Sequence, residues 1–182
     1  TFDRLDSDGC MSTNDQVTLM ASGASGITPD QDEFQAAVTA VCHDLAQQLL
    51  RDAEGSSHDI AIEVVSAASE EDAVEVGRSV ARNNLFKAAI YGNDPNWGRI
   101  VAAIGKSGAE ADRDRLTIKF GDILVAEKGW RNPNYKEDDG AAYMLNPELL
   151  IHVDMGLGKG ARSIWTCDLT NRYIEINADY RS

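Results

Sequence analysis

A chain of 182 residues with 43% hydrophobic residues can bury roughly two-thirds of its unfolded surface, which excludes wholesale disorder and suits one large domain or two small ones. Thirty acidic residues against seventeen basic ones leave a net charge of −13, which argues against nucleic acid or an anionic membrane as partner, because a polyanion would be repelled over most of the surface. No apolar run approaches the roughly 18 residues of a membrane span, and Thr1-Phe2-Asp3-Arg4 does not resemble a signal peptide, so the cytoplasm is the expected compartment.

From the N-terminus, Asp3 to Gly9 and then Ser12-Thr13-Asn14-Asp15 crowd carboxylates and short polar side chains together. Asp6-x-Asp8-Gly9 raises calcium, but an EF-hand loop counted from Asp6 would put Val17 where its closing Glu belongs. Val17 to Gly23 reads as a buried strand end, and Gly23-Ala24-Ser25-Gly26 as a flexible connection, since no Gly-Lys-Ser/Thr follows to make a phosphate loop. Thr28-Pro29-Asp30-Gln31 then predicts a helix start, with Thr28 as N-cap and Pro29 at the first helical position. Phe34, Val38, Val41, Leu45 and Leu49 recur at three- and four-residue spacing and predict one apolar stripe over about 31–52. His43 falls off that stripe and is expected to face solvent. The helix runs out at Arg51 to Ser57, with Gly55 as C-cap. Glu54 lies there against the unfavourable end of the helix dipole, a weak reason to look for another role.

Ile60, Ile62 and Val64 alternate with Ala61 and Glu63 as in a half-buried strand, and Ser69 to Asp72 opens a second helix. The apolar run over 85–91 reads as a strand, followed by the turn Asn93-Asp94-Pro95-Asn96 and a helix from Trp97 to Gly105 with Asn96 as N-cap. Glycines Gly92 and Gly98 do not make the dinucleotide fingerprint. Beyond Lys106, 116–120 and 123–126 around Gly121-Asp122 predict a hairpin, 127–146 an excursion with a short helix, and 149–153 and 161–167 two more strands. In the tail, Tyr173, Ile174, Ile176 and Tyr180 are expected to anchor the chain end in the fold. Cys10, Cys42 and Cys167 lie far apart with no C-x-x-C spacing or nearby His pair, so zinc is not expected and reduced thiols are, with Cys42 on the apolar side of the first helix.

Three stretches together resemble one family: Thr1-Phe2-Asp3-Arg4 with Asp8-Gly9 and Ser12-Thr13-Asn14-Asp15; Asp94-Pro95-Asn96-Trp97-Gly98-Arg99; and Tyr173 to Tyr180. They are similar to the C-terminal (β) chain of ornithine acetyltransferase, also called glutamate N-acetyltransferase, a bifunctional arginine-biosynthesis enzyme. The resemblance implies an α+β (mixed α/β) layered self-processing acyltransferase fold of the aminopeptidase/ornithine acetyltransferase type, with a smaller α+β C-terminal domain. Residues 1–57 would belong to a catalytic domain shared with a companion α chain from the same precursor, 58–167 to the smaller domain, and 168–182 to a tail returning to the active site. An α2β2 assembly is implied.

The implied reaction takes an acetyl group from N-acetylornithine through an acetyl-threonine to glutamate. It needs no cofactor and no metal; acetyl-CoA enters as a substrate only if N-acetylglutamate is also made de novo. Family members place the nucleophile in an Ala-Thr-Met-Leu-like segment upstream of the Thr-Phe-x-Arg stretch, and this chain contains no such segment, so no catalytic residue is expected in it. The opposing reading takes Thr1 itself as the processed nucleophile, its α-amino group serving as base. Substrate-contacting residues carry over by motif to Glu54, Asn177 and Ser182. Glu54 would pair with an ammonium, while Asn177 and Ser182 would orient the α-carboxylate or backbone. An amidohydrolase or aminopeptidase of a related fold and a non-catalytic small-ligand binding module remain as alternatives.

Overall fold

The protein is described by a computed structural model covering residues 1–180. A nine-residue strand, β1 (Asp59–Ala67), lies one strand in from the edge of a six-stranded mixed sheet. It pairs in parallel with β5 (Glu148–Asp154) on one side and antiparallel with β6 (Gly160–Cys167) on the other. Beyond β5 follow β2 (Thr117–Phe120), β3 (Ile123–Glu127) and the short β4 (Trp130–Arg131), giving the order β4-β3-β2-β5-β1-β6.

Period-two alternation gives this sheet one dry face. Ile60, Ile62, Val64, Ile118, Phe120, Ile151, Val153 and Ile164 all point to it and are fully or almost fully buried. Helix α2 (Glu70–Ala81) lies across that face against β1 and β6, capped by Ser69, whose side chain accepts from Asp72 N, and α4 (Trp97–Gly105) packs on α2. Close approach is possible because Gly77 has no side chain: a Cβ there would lie 2.6 Å from Ile164 Cγ1. The opposite face carries Ala61, Glu63, Leu150, His152 and Trp165, of intermediate or full exposure, with Glu63 and His152 in register and joined at 2.8 Å.

Several elements differ from the sequence expectation. The run over 85–91 is helical, forming α3 (Asn84–Tyr91) after an Asn83 cap that accepts from Phe86 N, so the anticipated strand is absent and the turn at Asp94-Pro95 joins two helices. A short apolar run fits a buried strand and a buried helix equally by hydropathy; here Phe86 and Ile90, four apart, bury together while Leu85 stays exposed. The turn itself is as expected. Asn96 accepts from Arg99 N, donates to Asp94, and Arg99 reaches back to the Leu85 carbonyl at 2.5 Å.

The first helix, α1 (Gln31–Arg51), is capped by Asp30, which accepts from both Asp32 N and Glu33 N, so Thr28 and Pro29 lie outside it. A carboxylate at the N-cap satisfies two free N–H groups and meets the positive helix end, an advantage Thr28 lacks. Its C-cap is Asp52, while Gly55, at φ +66°, serves the turn beyond. Phe34, Val41, Leu45 and Leu49 are exposed; the residues α1 buries are Ala46 and Leu50. His43, expected in solvent, is half-buried against the Trp165 ring at 5.0 Å. Residues 17–23 form no strand and are exposed throughout. The hairpin β2–β3, the excursion with its short helix α5 (Glu137–Tyr143), and strands β5 and β6 follow the expected order.

Candidate functional site

Residues 1–9 run along the free edge of β6. Leu5 bridges to Trp165, Asp6 N donates to the Trp165 carbonyl at 2.8 Å, and three cations hold the segment from behind. Arg78 donates to the Asp3 carbonyl, Arg82 pairs with Asp6 at 2.6 Å, and the buried Lys87 ammonium donates to the Ser7 carbonyl and to Thr166 Oγ1. Burial pushes the Lys87 pKa down, opposed by the nearby carboxylate of Asp6. Asp6 also accepts from Gly9 N, so the Asp-x-Asp-Gly element is a tight turn whose first carboxylate is occupied on both oxygens.

That turn delivers Asp8 and Cys10 to one wall of a groove of about 480 Å³. The opposite walls are Asp52 and Glu54, from the turn after α1, and Tyr173 and Asn177, from α6 (Asn171–Asp179). Two residues singled out by motif thus meet: Asn177 Nδ2 donates to Glu54 Oε2 at 2.7 Å and to the Tyr173 carbonyl at 3.0 Å. The amide orientation follows from chemistry, since its oxygen turned the other way would face a carboxylate oxygen. Among the described residues, neither Glu54 Oε1 nor Asn177 Oδ1 has another hydrogen-bond partner. The third residue, Ser182, lies outside the described residues. Thr1 does not line the groove; its ammonium pairs with Asp3 at 3.1 Å.

The tail is held by polar contacts together with half-buried Tyr173 and Ile176, two of the four anticipated anchors. α6 buries none of its residues, and Ile174 and Tyr180 are well exposed. Just before it, the buried Asp168 carboxylate accepts from Ser57 N at 2.8 Å, His58 N at 3.2 Å, His58 Nδ1 at 2.9 Å and the Ser57 hydroxyl. Ser57, His58 and Asp168 are not a nucleophilic triad, because hydroxyl and carboxylate crowd the same imidazole nitrogen while Nε2 faces the Met144 carbonyl. Cys167 is an unpromising nucleophile as well: burial raises its thiol pKa despite the nearby Lys87. Tyr173 is pushed up by burial and by the charge of Asp8, to which its hydroxyl donates at 3.4 Å.

Sequence reasoning passed over Asp8, Tyr173, Asp168 and Thr170 as site-builders. Asp8 carried a signal, sitting in the Asp-Gly turn; Asp168 and Thr170 carried only that of polar residues directly after a buried strand. Chemically the groove presents anionic and neutral oxygens, with Asp8, Asp15, Asp52 and Glu54 around it, and suits a small ligand bearing an ammonium group.

An α+β chain with a mixed sheet, helices on its dry face and an acid-lined groove built from both of its ends is the class that these observations define. The sequence model of the ArgJ family matches residues 1–182, and the chain belongs to that family. It is 57% identical over 183 residues to the "Arginine biosynthesis bifunctional protein ArgJ" of Ruegeria pomeroyi, covering 100% of this chain and 45% of the relative. The protein of the same name from Streptomyces avermitilis is 54% identical over 182 residues, covering 100% and 46%. This chain therefore spans about half the length of the curated relatives that it matches. Its fold matches the crystal structure of the arginine biosynthesis bifunctional protein argJ from Bacillus halodurans with a TM-score of 0.93 at 38% identity, covering 99% of this chain and 87% of that one. Among the described residues no helix is long and apolar enough to cross a membrane.

Proposed function

We propose that this chain is the β part of an ornithine acetyltransferase that moves an acetyl group from N-acetylornithine to glutamate through an acetyl-threonine. The observation that carries the reading is the Glu54–Asn177 pair at 2.7 Å inside an acid-lined groove, within a chain of the ArgJ family. Glu54 supplies negative charge for the substrate ammonium. Asn177, whose amide protons are both engaged, offers its Oδ1 as a second acceptor, which suits the orientation of the substrate backbone. Ser182, five residues beyond Asn177, completes the set as the expected donor to the substrate carboxylate.

The nucleophilic threonine belongs to the Ala-Thr-Met-Leu-like segment that the family carries upstream of the Thr-Phe-x-Arg stretch, the oxyanion donors come from a companion α chain, and the exposed stripe Phe34, Val41, Leu45 and Leu49 on α1 is where that chain docks in an α2β2 assembly. No metal or cofactor takes part; acetyl-CoA is a substrate if the enzyme also forms N-acetylglutamate de novo.

The test is incubation of the intact assembly with N-acetylornithine and isotopically labelled glutamate. Labelled N-acetylglutamate is the expected product, and one threonine of the assembly gains a single acetyl mass when glutamate is withheld. Acetate release without transfer would instead mark an amidohydrolase; ligand binding with no acetylated threonine would mark a binding module. Glu54→Ala should raise KM for N-acetylornithine at least about tenfold with a smaller change in kcat, as expected for loss of a charge-assisted contact made equally in ground and transition states. Thr1→Ala should leave turnover within about twofold of the parent, since changes away from the groove remove no transition-state contact; abolished turnover would restore Thr1 as nucleophile.

A further inference from the structure

We infer that Thr170 is a positioning residue for the Glu54–Asn177 pair, acting through the Gly55 carbonyl; the inference rests on the reading of that pair as substrate-contacting. Helix α6 has no fully buried residue and only Tyr173 and Ile176 are half-buried, so hydrophobic packing constrains its direction weakly, and Glu54 is an exposed side chain with several rotamers open to it. Their mutual placement depends on polar ties between the turn after α1 and the start of α6. Among the described residues, only one tie made by α6 or its cap comes from a buried side chain. Thr170 is 3% exposed, its hydroxyl donates to the Gly55 carbonyl at 2.6 Å, and the same oxygen accepts from Tyr173 N at 3.0 Å. A hydrogen bond screened from water in this way competes less with solvent than the exposed Asn177–Glu54 contact.

Backbone geometry makes this tie specific. Gly55 is left-handed at φ +66°, and a Cβ there would lie 2.5 Å from Tyr173 N and 2.8 Å from the Arg172 carbonyl carbon. Turn and helix start therefore touch through main chain, with Thr170 bonding one while capping the other. Upstream the path is fixed as well, because Asp168 is held by Ser57 and His58. Downstream, among the described residues, the long Tyr173 hydroxyl contact to Asp8 at 3.4 Å is the one long-range side-chain tie before Asn177, seven residues or about two helical turns further on and on the same face as the cap. A pivot at Thr170 is thus amplified at Asn177, which leaves Glu54 without its partner and the two acceptors out of register.

Three substitutions in the complete assembled protein separate the hydroxyl's two roles. Thr170→Val keeps the shape and removes both bonds; Thr170→Asp keeps an N-cap acceptor for Tyr173 N but sets a carboxylate oxygen against the Gly55 carbonyl; Thr170→Ser keeps both. We expect Thr170→Val and Thr170→Asp each to raise KM for N-acetylornithine about tenfold with kcat within about twofold, and Thr170→Ser to return KM to near the parent value, the scale of one net hydrogen bond. Backbone hydrogen exchange across 171–179, measured without substrate, should quicken in Thr170→Val and not in Thr170→Ser. Parental exchange together with parental KM in both Thr170→Val and Thr170→Asp would overturn the inference, as would a Thr170→Ser variant as impaired as Thr170→Val. A KM unmoved by Glu54→Gln and by Thr170→Val, with exchange nevertheless faster, would leave the tie standing and refute the substrate reading of the pair.

Discussion

Ile62 and Leu45 are both large aliphatic residues on the apolar repeat of a regular element, yet Ile62 is 0% exposed and Leu45 46%. The strand repeat that carries Ile62 meets α2 within the chain, whereas the stripe on α1 meets little of its own chain, and its neighbour Val17 is exposed too. Amphipathic period therefore marks the face that wants a partner and is silent about where the partner comes from. The sheet body covers its own apolar face; the α1 stripe is the face that the proposed companion chain would cover.

The sharpest way to break this contrast is a pair of truncations in the isolated chain. Ile62→Ala should cost about 2–5 kcal/mol in denaturant unfolding, through lost transfer energy and the cavity left behind. Leu45→Ala should fall within about 0.5 kcal/mol of the parent, as exposed substitutions do; equal costs would show that α1 is packed in solution. Gly77→Ala probes the body's tightness and should cost about 1–3 kcal/mol by overpacking against Ile164, outweighing the roughly 1 kcal/mol that Ala gains in helix propensity. A stabilised Gly77→Ala would mean that the α2–β6 contact is loose enough to yield.

On the other side, Leu45→Asp with Leu49→Asp should leave the unfolding of the isolated chain nearly unchanged but lower recovery of the companion chain on co-purification at least about tenfold, because charges would replace the apolar centre of the proposed docking face. Undiminished recovery would place the companion elsewhere. The smallest effect is at Asp59, where β1 begins. Burial raises its pKa above the ordinary 3.8, partly offset by Arg51. A raised carboxyl binds its proton more tightly folded than unfolded, so its contribution is favourable below 3.8 and is lost as pH rises through the folded value. Asp59→Asn should therefore raise the melting temperature slightly near pH 7, a gain that shrinks to nothing below the unfolded pKa. A melting curve whose difference from the parent does not change with pH would contradict that assignment.

Much of the body was legible because its signals are local. Alternation over 60–64, the Ser69 and Asn96 caps and the Gly121-Asp122 hairpin each involve residues within four positions of one another, and all were found where expected. The run at 85–91 was misread because hydropathy alone does not separate a short buried helix from a buried strand, and the deciding Asn83 cap lies outside the run. Residues 17–23 were misread for the reverse reason: β-branched and apolar residues suggested a strand, but a strand needs a neighbour, and the sheet offers none there.

For the candidate site, the sequence by itself determined chemical types and motif: a carboxylate at Glu54, an amide at Asn177, the excess of acid, and a resemblance that pointed to both residues. Only the tertiary structure decided that they touch. Glu54 and Asn177 are 123 positions apart, and what joins them is a set of long-range polar ties: Asp168 to Ser57 and His58, Thr170 to Gly55, and Lys87 to Ser7. Such ties leave no periodic trace in a sequence, because each partner is fixed by the packing of β6 beside β1 and by the strap along its edge.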